Sequence, residues 1–213
     1  MTLSLKPEVA ARLKQLFTHP NEHQNAPPGD RLKRLYEYYK SCRRCPLGTQ
    51  GRSQVVFGEG CPTAPAIFIG EAPGREEDTL GRPFVGRSGR LLTGMMDGLG
   101  LTRDKIYIAN TARCRPPENR QPLPQESSTC ISLLLLREIS AIKPRIICTL
   151  GATATNAFLD YSKSLSSIRG QIIQTEYFAI MPTYHPAYLL RNPPAKDTVI
   201  ADFVRLIAFL DAK

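Results

Sequence analysis

Three polar segments of the chain carry residue types that can bind and transform a small ligand. They are GEAPGREEDTLGRPFVG from Gly70, NTARCRPPENR from Asn110 and PTYHPAYLLR from Pro182. Together they supply carboxylates, side-chain amides, an imidazole and several arginines. Carboxylates and imidazoles can transfer protons or stabilise charge, and an amide presents a hydrogen-bond acceptor beside a pair of donors. These residue types predict a binding or catalytic site if the fold brings the segments together.

A second feature is a set of four cysteines. Cys42 and Cys45 form a C-x2-C knuckle at the end of a predicted helix, and fifteen residues separate Cys114 from Cys130. Four thiolates suit either a tetrahedral zinc ion or an iron–sulfur cluster, and their spacing does not separate the two. A third alternative, in which only the knuckle is a metal motif, also stays open.

The apolar runs of the chain predict the scaffold for these residues. We expect strands at Ala66–Gly70, Ile106–Asn110, Arg145–Leu150 and Phe178–Pro182. We expect helices at Ser88–Leu99, Pro124–Ile142, Gly151–Leu159 and Lys196–Leu210. Short apolar strands that alternate with helices predict an α/β fold with a parallel sheet covered on both faces. Such sheets bind ligands at the carboxyl ends of their strands, where the three polar segments lie.

The N-terminal part of the chain predicts an extension to this fold. Pro7–Phe17 has the period of a short amphipathic helix, and the segment THPNEHQNAPPG that follows has the composition of a linker. Asp30 is the expected N-cap of a second helix, RLKRLYEYYKSC. We therefore divide the chain into an extension, residues 1–29, and one domain, residues 30–213.

The composition predicts a soluble, cytoplasmic protein. Hydrophobic residues make up 42% of the 213 residues and charged residues 22%, as in ordinary globular proteins. The longest apolar run, Leu133–Leu136, is far shorter than the roughly 18 residues that span a bilayer. Lys6 and Pro7 interrupt the N-terminus before a signal-peptide core could form. We expect no disulfide framework, and we expect Cys61 and Cys148 not to be metal ligands.

The net charge of +9 allows two interpretations. It can serve solubility alone, or it can attract a polyanion, because Lys and Arg neutralise phosphates and release counterions. Basic residues do cluster, for example in RRC at Arg43, GRSGR at Gly86 and RCR at Arg113. This clustering favours a nucleic acid as the partner.

With the three segments and the four cysteines in this order, the chain resembles family 4 uracil-DNA glycosylases, the bacterial and archaeal iron–sulfur type, over about residues 32–210. The resemblance implies a three-layer α/β/α sandwich with a central, mainly parallel four-stranded sheet. It also implies a [4Fe-4S] cluster on Cys42, Cys45, Cys114 and Cys130. The implied activity is hydrolytic removal of uracil from DNA after the base has been flipped, the first step of base excision repair. We expect a monomer that acts on double- or single-stranded DNA and does not bind a membrane.

The same resemblance assigns the residues that hold uracil. Gly70, Glu71 and Ala72 match the segment whose backbone contacts the base. Phe84 matches the aromatic residue that stacks on it. Asn110 matches the amide that hydrogen-bonds its edge, and such an amide would leave buried groups unpaired against cytosine.

Two residues are the expected participants in bond cleavage beside Asn110. His185 matches the histidine that faces uracil O2, where negative charge collects as the base leaves. Glu77 aligns with a glutamate near the C5 edge, where it would exclude the methyl group of thymine or hold the attacking water. Ala72 stands where family 1 enzymes have an aspartate that activates water, which leaves the general base unassigned.

The remaining expected contacts are with the DNA strand. The resemblance and the apolar character of the segment suggest Leu189 or Leu190 as a wedge that enters the duplex, with Arg191 on a phosphate. Further arginines are expected to contact backbone phosphates, namely Arg87, Arg90, Arg113 and Arg115.

Three functional interpretations stay open. The first is a monofunctional uracil-DNA glycosylase, since none of the three polar segments contains a lysine for a lyase step. The second is a glycosylase of broader range that also acts on deaminated purines. The third is a non-catalytic, zinc-stabilised module that binds nucleic acid.

Overall fold

A computed structural model describes residues 3–18, 26–161 and 164–212 of the chain. Its strands are β1 (Ser4–Leu5), β2 (Glu59–Gly60), β3 (Ala66–Gly70), β4 (Tyr107–Asn110), β5 (Ile146–Leu150), β6 (Leu159–Asp160), β7 (Ile173–Gln174) and β8 (Ala179–Thr183). Its α-helices are α1 (Pro7–Thr18), α2 (Pro28–Tyr39), α3 (Arg75–Leu80), α4 (Arg87–Asp97), α5 (Pro124–Cys130), α6 (Leu136–Ile142), α7 (Ala152–Phe158), α8 (Leu165–Ile168), α9 (Pro186–Leu189) and α10 (Ala195–Asp211). Short 3₁₀ helices lie at Pro46–Gly48 and Pro117–Asn119, and a π-helical stretch lies at Ile131–Leu135.

The central sheet has the strand order β2-β4-β3-β5-β8-β7. Its four inner strands, β4, β3, β5 and β8, are parallel, and the two-residue strands β2 and β7 pair antiparallel at the edges. The inner strands are the four that the sequence predicts, each within one residue of its expected bounds. The carboxyl ends of β3, β4 and β8 therefore lie at one edge of the sheet and present the three polar segments there.

Two apolar layers cover the sheet, one on each face. Ile67 and Ile69 of β3 pack in one cluster with residues of α6 and α7. Ala66 and Phe68 alternate with them and pack in the other, where the ring of Phe68 meets the edge of Phe203 from α10 at 5.4 Å between centroids. Successive strand residues point to opposite faces, so this alternation confirms the expected three-layer α/β/α sandwich.

The N-terminal residues pack on this sandwich. Strand β1 pairs antiparallel with β6. Helix α1 confirms the expected amphipathic helix, and its Val9 and Leu13 are buried in the same cluster as Ile139 of α6. Residues 19–25, the middle of the expected linker, lie outside the described residues.

Two expectations for the helices need correction. Asp30 is not the N-cap of α2, because the helix begins at Pro28 and Asp30 lies in its first turn. Proline suits the first helical position, where its preset φ fits and its missing N–H would have no partner. The expected helix Pro124–Ile142 is continuous only through the π-helical stretch that directly follows Cys130. Among the described residues, no helix is both long enough and apolar enough to cross a bilayer.

Candidate active site

A cavity of about 210 Å³ opens at the carboxyl ends of the parallel strands. Six of the predicted site residues line it, namely Glu71, Ala72, Glu77, Phe84, Asn110 and His185. They come from all three polar segments, which are far apart in the chain. The fold thus brings an amide, an aromatic ring, a carboxylate and an imidazole to one small cavity.

Asn110 lies at the end of β4 with 2% of its surface exposed. Its side-chain oxygen Oδ1 is buried and has no hydrogen-bond partner. Gly70 stands opposite Asn110 in the strand pairing. A Cβ on Gly70 would lie 2.3 Å from Cζ of Phe84 and 2.6 Å from Oδ1 of Asn110, so only glycine lets both side chains occupy these positions. Gly70 acts from behind the cavity and does not line it.

Phe84 is held in an uncommon backbone conformation. Its φ is 54°, in the left-handed region that bulky residues rarely adopt. The Arg103 guanidinium donates to the carbonyl of Pro83 at 3.1 Å and to the carbonyl of Phe84. Gly89 gives room for the same peptide, since a Cβ there would lie 2.1 Å from the carbonyl carbon of Phe84. The loop thus fixes a nearly buried ring whose centroid is 6.0 Å from that of His185.

Glu77 fixes the same loop from the other side. Its Oε1 accepts the backbone N–H groups of Val85 at 3.0 Å and Gly86 at 2.7 Å. Its Oε2 accepts the N–H of Gly74 at 3.1 Å, which closes the start of α3. Both carboxylate oxygens are therefore engaged by the backbone on either side of Phe84, while the side chain still lines the cavity.

His185 is placed as a neutral hydrogen-bond donor. Its Nδ1 accepts the N–H of Ala187 at 3.1 Å, so the proton of the neutral ring resides on Nε2. Burial, and secondarily the charge of Arg191, lower its pKa from 6.5 to about 4. Gly151, at φ +89°, lies against the ring, and a Cβ there would come within 2.9 Å of the histidine Cβ.

The segment after His185 differs from the expectation for the wedge. Leu189 is 2% exposed and packs in the core beside Phe84, so the proposal of Leu189 as a wedge is wrong. Leu190 is partly exposed and Arg191 exposed. The large side chain most exposed in α9 is that of Tyr188, at 39%, whose ring lies 5.0 Å from that of Tyr184. The four-residue helix α9 turns Leu189 inward and its neighbours outward.

Of the four arginines expected on phosphates besides Arg191, three are exposed or partly exposed and one is buried. Arg87 is exposed at the start of α4, and Arg115 is partly exposed and donates from Nε to Asn119 at 2.7 Å. Arg90 is exposed and pairs with Glu76. Arg113 is wholly buried and pairs with Glu138 of α6, so the expectation that it contacts phosphate is wrong.

The four predicted metal ligands also come together. Cys42, Cys45, Cys114 and Cys130 line one cavity of about 10 Å³. Burial raises the pKa of the Cys114 and Cys130 thiols, the latter to about 12. Arg52 donates from Nη1 to Sγ of Cys114 at 2.9 Å. Within the described ranges, no group of three or more His, Cys, Asp or Glu side chains is arranged to hold a single metal ion.

The other two cysteines lie apart from this cavity. Cys148 is completely buried in β5, and Cys61 is partly buried in a loop, with its Sγ 3.4 Å from the hydroxyl of Thr63. All six cysteines are free thiols.

Comparison with known proteins assigns the family. The sequence model of the Uracil DNA glycosylase superfamily matches residues 57–207. A type-4 uracil-DNA glycosylase of Thermotoga maritima is 46% identical over 73% of this chain and 81% of its own length. The chain belongs to the type-4 uracil-DNA glycosylases. Relatives of the same type from Sulfurisphaera tokodaii and Archaeoglobus fulgidus are 41% and 38% identical, over 83% and 78% of this chain and 84% and 86% of theirs.

Membership of this glycosylase family confirms the enzyme interpretation over the non-catalytic binding module. It also confirms the resemblance on which the residue roles were assigned. The superfamily match begins at residue 57, after the Cys42–Cys45 knuckle, whereas the segments that carry Asn110 and His185 lie inside it.

Sequence reasoning missed three residues that shape the type-4 site. Arg103 holds the Phe84 peptide from a loop that carries no motif. Arg120 lines the cavity and forms a two-point ion pair, with both contacts at 2.9 Å, with the fully buried Glu126 of α5. The sequence held a usable signal for Glu126. A carboxylate at the third position of a helix that begins with proline, here Pro124, is a capping residue. Glu126 indeed accepts the N–H of Leu123 at 2.7 Å.

Proposed function

We propose that this type-4 uracil-DNA glycosylase holds a flipped uracil in the cavity of Phe84, Asn110 and His185 and hydrolyses its N-glycosidic bond. Removal of uracil from DNA begins base excision repair. The oxygen of water bonds to C1′ as the C1′–N1 bond breaks, the electron pair of that bond leaves with the base, and the proton released by the water finally neutralises the uracil anion. The observation that carries the assignment is the buried, unpartnered Oδ1 of Asn110.

The unpartnered oxygen of Asn110 suits the edge of uracil. Buried acceptors without partners are rare in native proteins and mark a position that a ligand group or an ion completes. Uracil offers an N3–H donor beside the O4 acceptor, and the Asn110 amide can accept from the first and donate to the second. Cytosine has an acceptor at N3 and a donor amine at C4, so it would leave both partners unsatisfied. Sites of this kind reject such analogues strongly.

Stacking and charge stabilisation fall to the two rings. Phe84 offers a flat face, and stacking of a base on an aromatic ring contributes about 1–3 kcal/mol. His185 directs its Nε2–H towards uracil O2 in the proposed pose. Because its other nitrogen is engaged and its pKa is about 4, it donates as the neutral ring at physiological pH. A donor aimed at a developing anion stabilises the transition state more than the ground state.

Glu77 contributes charge and position in this proposal. Both oxygens accept backbone N–H groups, which fixes the carboxylate in the cavity wall near the expected position of the sugar. The same bonds hold the loop on which Phe84 stands. Glu71 and Ala72 line the cavity with the backbone that would contact the base.

The surface around the cavity supplies the contacts with DNA. We propose Leu190, and beside it Tyr188, as the side chains that fill the gap left by the flipped nucleotide. Arg191, Arg87 and Arg115 would contact phosphates and fix the protein on either double- or single-stranded DNA without reading its sequence.

We infer that Cys42, Cys45, Cys114 and Cys130 hold a [4Fe-4S] cluster. Four thiols around one cavity are the donor set that such clusters require. The cluster would serve as a structural tie between the loop after β4 and the end of α2.

The remaining proposals concern the whole chain. We propose a cytoplasmic monomer, in keeping with six free thiols. Residues 30–213 would form the catalytic domain, and residues 1–29 would form an extension whose described part packs against it.

The test is excision of uracil from a single-site oligonucleotide, scored after alkaline cleavage. Asn110→Asp replaces the amide donor to O4 by a carboxylate, and kcat/KM should fall by about 10²-fold or more. Asn156→Asp, at an exposed position of α7 away from the cavity, is the matched control. Undiminished excision by the Asn110 variant would overturn the assignment of the base-reading edge. Competing oligonucleotides with hypoxanthine or xanthine test the broader specificity.

A further inference from the structure

Arg113 carries a positive charge in the interior with too few partners. It follows β4 in the segment between Asn110 and Cys114, and its side chain is completely buried. Nη2 donates to Glu138, whose other oxygen accepts from the hydroxyl of Tyr107 at 3.3 Å. Nε and Nη1 are buried and have no hydrogen-bond partner. A buried guanidinium with two idle donors needs a further anionic partner.

The cavity of the four cysteines lies beside this guanidinium. Arg113 lines it together with Cys42, Cys45, Cys114 and Cys130. Arg113 thus borders the cavity of sulfur atoms that become anionic when they bind metal.

A second arginine borders the same sulfurs. Arg52 donates from Nη1 to Sγ of Cys114 at 2.9 Å and from Nη2 to the carbonyl of Cys42 at 2.6 Å. Among the residues that the structure describes, no carboxylate lies within ion-pair distance of Arg52. Its hydrogen-bond partners in the described chain belong to the cysteine site.

Charge balance explains why the buried Arg113 and the partly buried Arg52 lie here, in addition to the exposed Arg44 that lines the same cavity. Four thiolates outweigh the positive charge of a four-iron core, so the liganded cluster is an anion. Burying an anion is unfavourable unless paired charges and hydrogen bonds compensate it. Glu138 offsets only one positive charge, which leaves a net positive charge from the two arginines for the cluster.

We propose that Arg113 and Arg52 are positioning residues for the cofactor, a pair of guanidinium groups that hydrogen-bond the cluster sulfurs and neutralise their charge. This inference rests on the proposed [4Fe-4S] cluster. Mutation of residues that hydrogen-bond to metal ligands typically lowers metal affinity by about 10–100-fold. The alternative is that Arg113 serves only to pair with Glu138 in the core.

The double variant Arg113→Met/Glu138→Met separates these two roles. It removes both buried charges with little change of volume, so the fold survives if the ion pair is the whole function. Arg52→Met tests the second guanidinium without disturbing Glu138. Arg169→Met, a partly buried arginine that pairs with Asp202 away from the cysteines, is the matched control. Arg113→Lys keeps the positive charge but replaces the planar guanidinium, with its several N–H donors, by a single ammonium group.

The readouts are iron and acid-labile sulfide per folded chain, and the rate at which a chelator bleaches the visible absorption. Far-ultraviolet circular dichroism verifies the fold. We expect the double variant and Arg52→Met to bleach about 10–100-fold faster than wild type, Arg113→Lys to fall between, and Arg169→Met to match wild type. If the double variant does not fold, Arg52→Met and Arg113→Lys carry the test.

Two results would overturn the inference, and they are distinguishable. If the wild-type chain contains iron and sulfide but the folded arginine variants bleach at its rate, the arginine role fails and the cluster stands. If the wild-type chain contains neither iron nor sulfide, the cluster proposal fails and takes the arginine role with it. Excision of uracil by the same preparation then reports separately on the proposed activity.

Discussion

Glu77→Gln tests whether this carboxylate works through the loop that carries Phe84. The substitution keeps the size of the side chain and removes its charge. The amide oxygen can still accept from Val85 and Gly86, as Oε1 does at 3.0 and 2.7 Å. The amide nitrogen would then face the N–H of Gly74, which now donates to Oε2 at 3.1 Å.

The expected loss of stability follows from these three bonds. Hydrogen bonds to a charged group contribute about 1.5–3 kcal/mol each, and neutral ones about 1 kcal/mol. One bond is lost against a facing donor and two are weakened, so the free energy of unfolding should fall by about 2.5–7 kcal/mol. Because Phe84 is held at φ 54°, a looser loop also displaces the ring. A displacement of about 1 Å can lower the rate about 10²-fold.

Urea unfolding and uracil excision should be measured on the same preparations. Glu76→Gln is the matched control, since Glu76 is exposed and pairs with the exposed Arg90. Surface pairs contribute about 0–1 kcal/mol, so this control should stay close to wild type in both assays. A Glu77→Gln protein with wild-type stability but much slower excision would place the role of Glu77 in the chemistry alone and refute the positioning argument.

The further predictions concern the His185 segment. With a pKa of about 4, His185 stays neutral, so kcat/KM should show no acid limb from this residue between about pH 7.5 and 5.5. The unfolded chain binds that proton near pH 6.5 and the folded chain does not, so the free energy of unfolding should fall as pH drops from about 6.5 to 4, and less so in His185→Gln. Tyr188→Ala and Leu190→Ala should slow excision from duplex DNA more than from single strands, and equal slowing on both substrates would count against a wedge. Leu189→Ala should instead lower the free energy of unfolding by about 2–5 kcal/mol in urea unfolding.

The inner sheet could be predicted from the sequence because its strands are buried on both faces. Such strands are continuous apolar runs, and Ala66–Gly70 was predicted with the bounds that the structure has. The edge strands β2 and β7 have two residues each, too few to show any alternation. The π-helical stretch after Cys130 could not be predicted either, because its residues have the same apolar character as those of an ordinary α-helix.

The residues that meet at the cavity could be predicted, but the direction of the neighbouring side chains could not. Leu189 and Leu190 are the same residue type at neighbouring positions. Only the geometry of α9 shows that Leu189 is the one that packs in the core. Arg113 stood in a basic cluster that suggested DNA, whereas its partner Glu138 lies 25 residues further along the chain. Residue type alone does not separate Glu77 from Asp78, which is also buried and accepts the N–H of Ser53 at 2.9 Å; only the family resemblance singled out Glu77.

The structure gives a physical reason for the cysteines to lie where they do. Asn110 and Cys114 belong to one segment, which the N–H of Thr111 fastens to Gly70 at 2.9 Å. On the other side of the cavity, Arg120 is tied to Glu126, and the helix that carries Glu126 ends at Cys130. Two of the four cysteines are therefore joined to the active-site cavity by short, hydrogen-bonded stretches of chain. Movement of either cysteine would displace Asn110 or the opposite wall of that cavity, so the proposed cluster would hold the geometry of the proposed uracil site without touching the base.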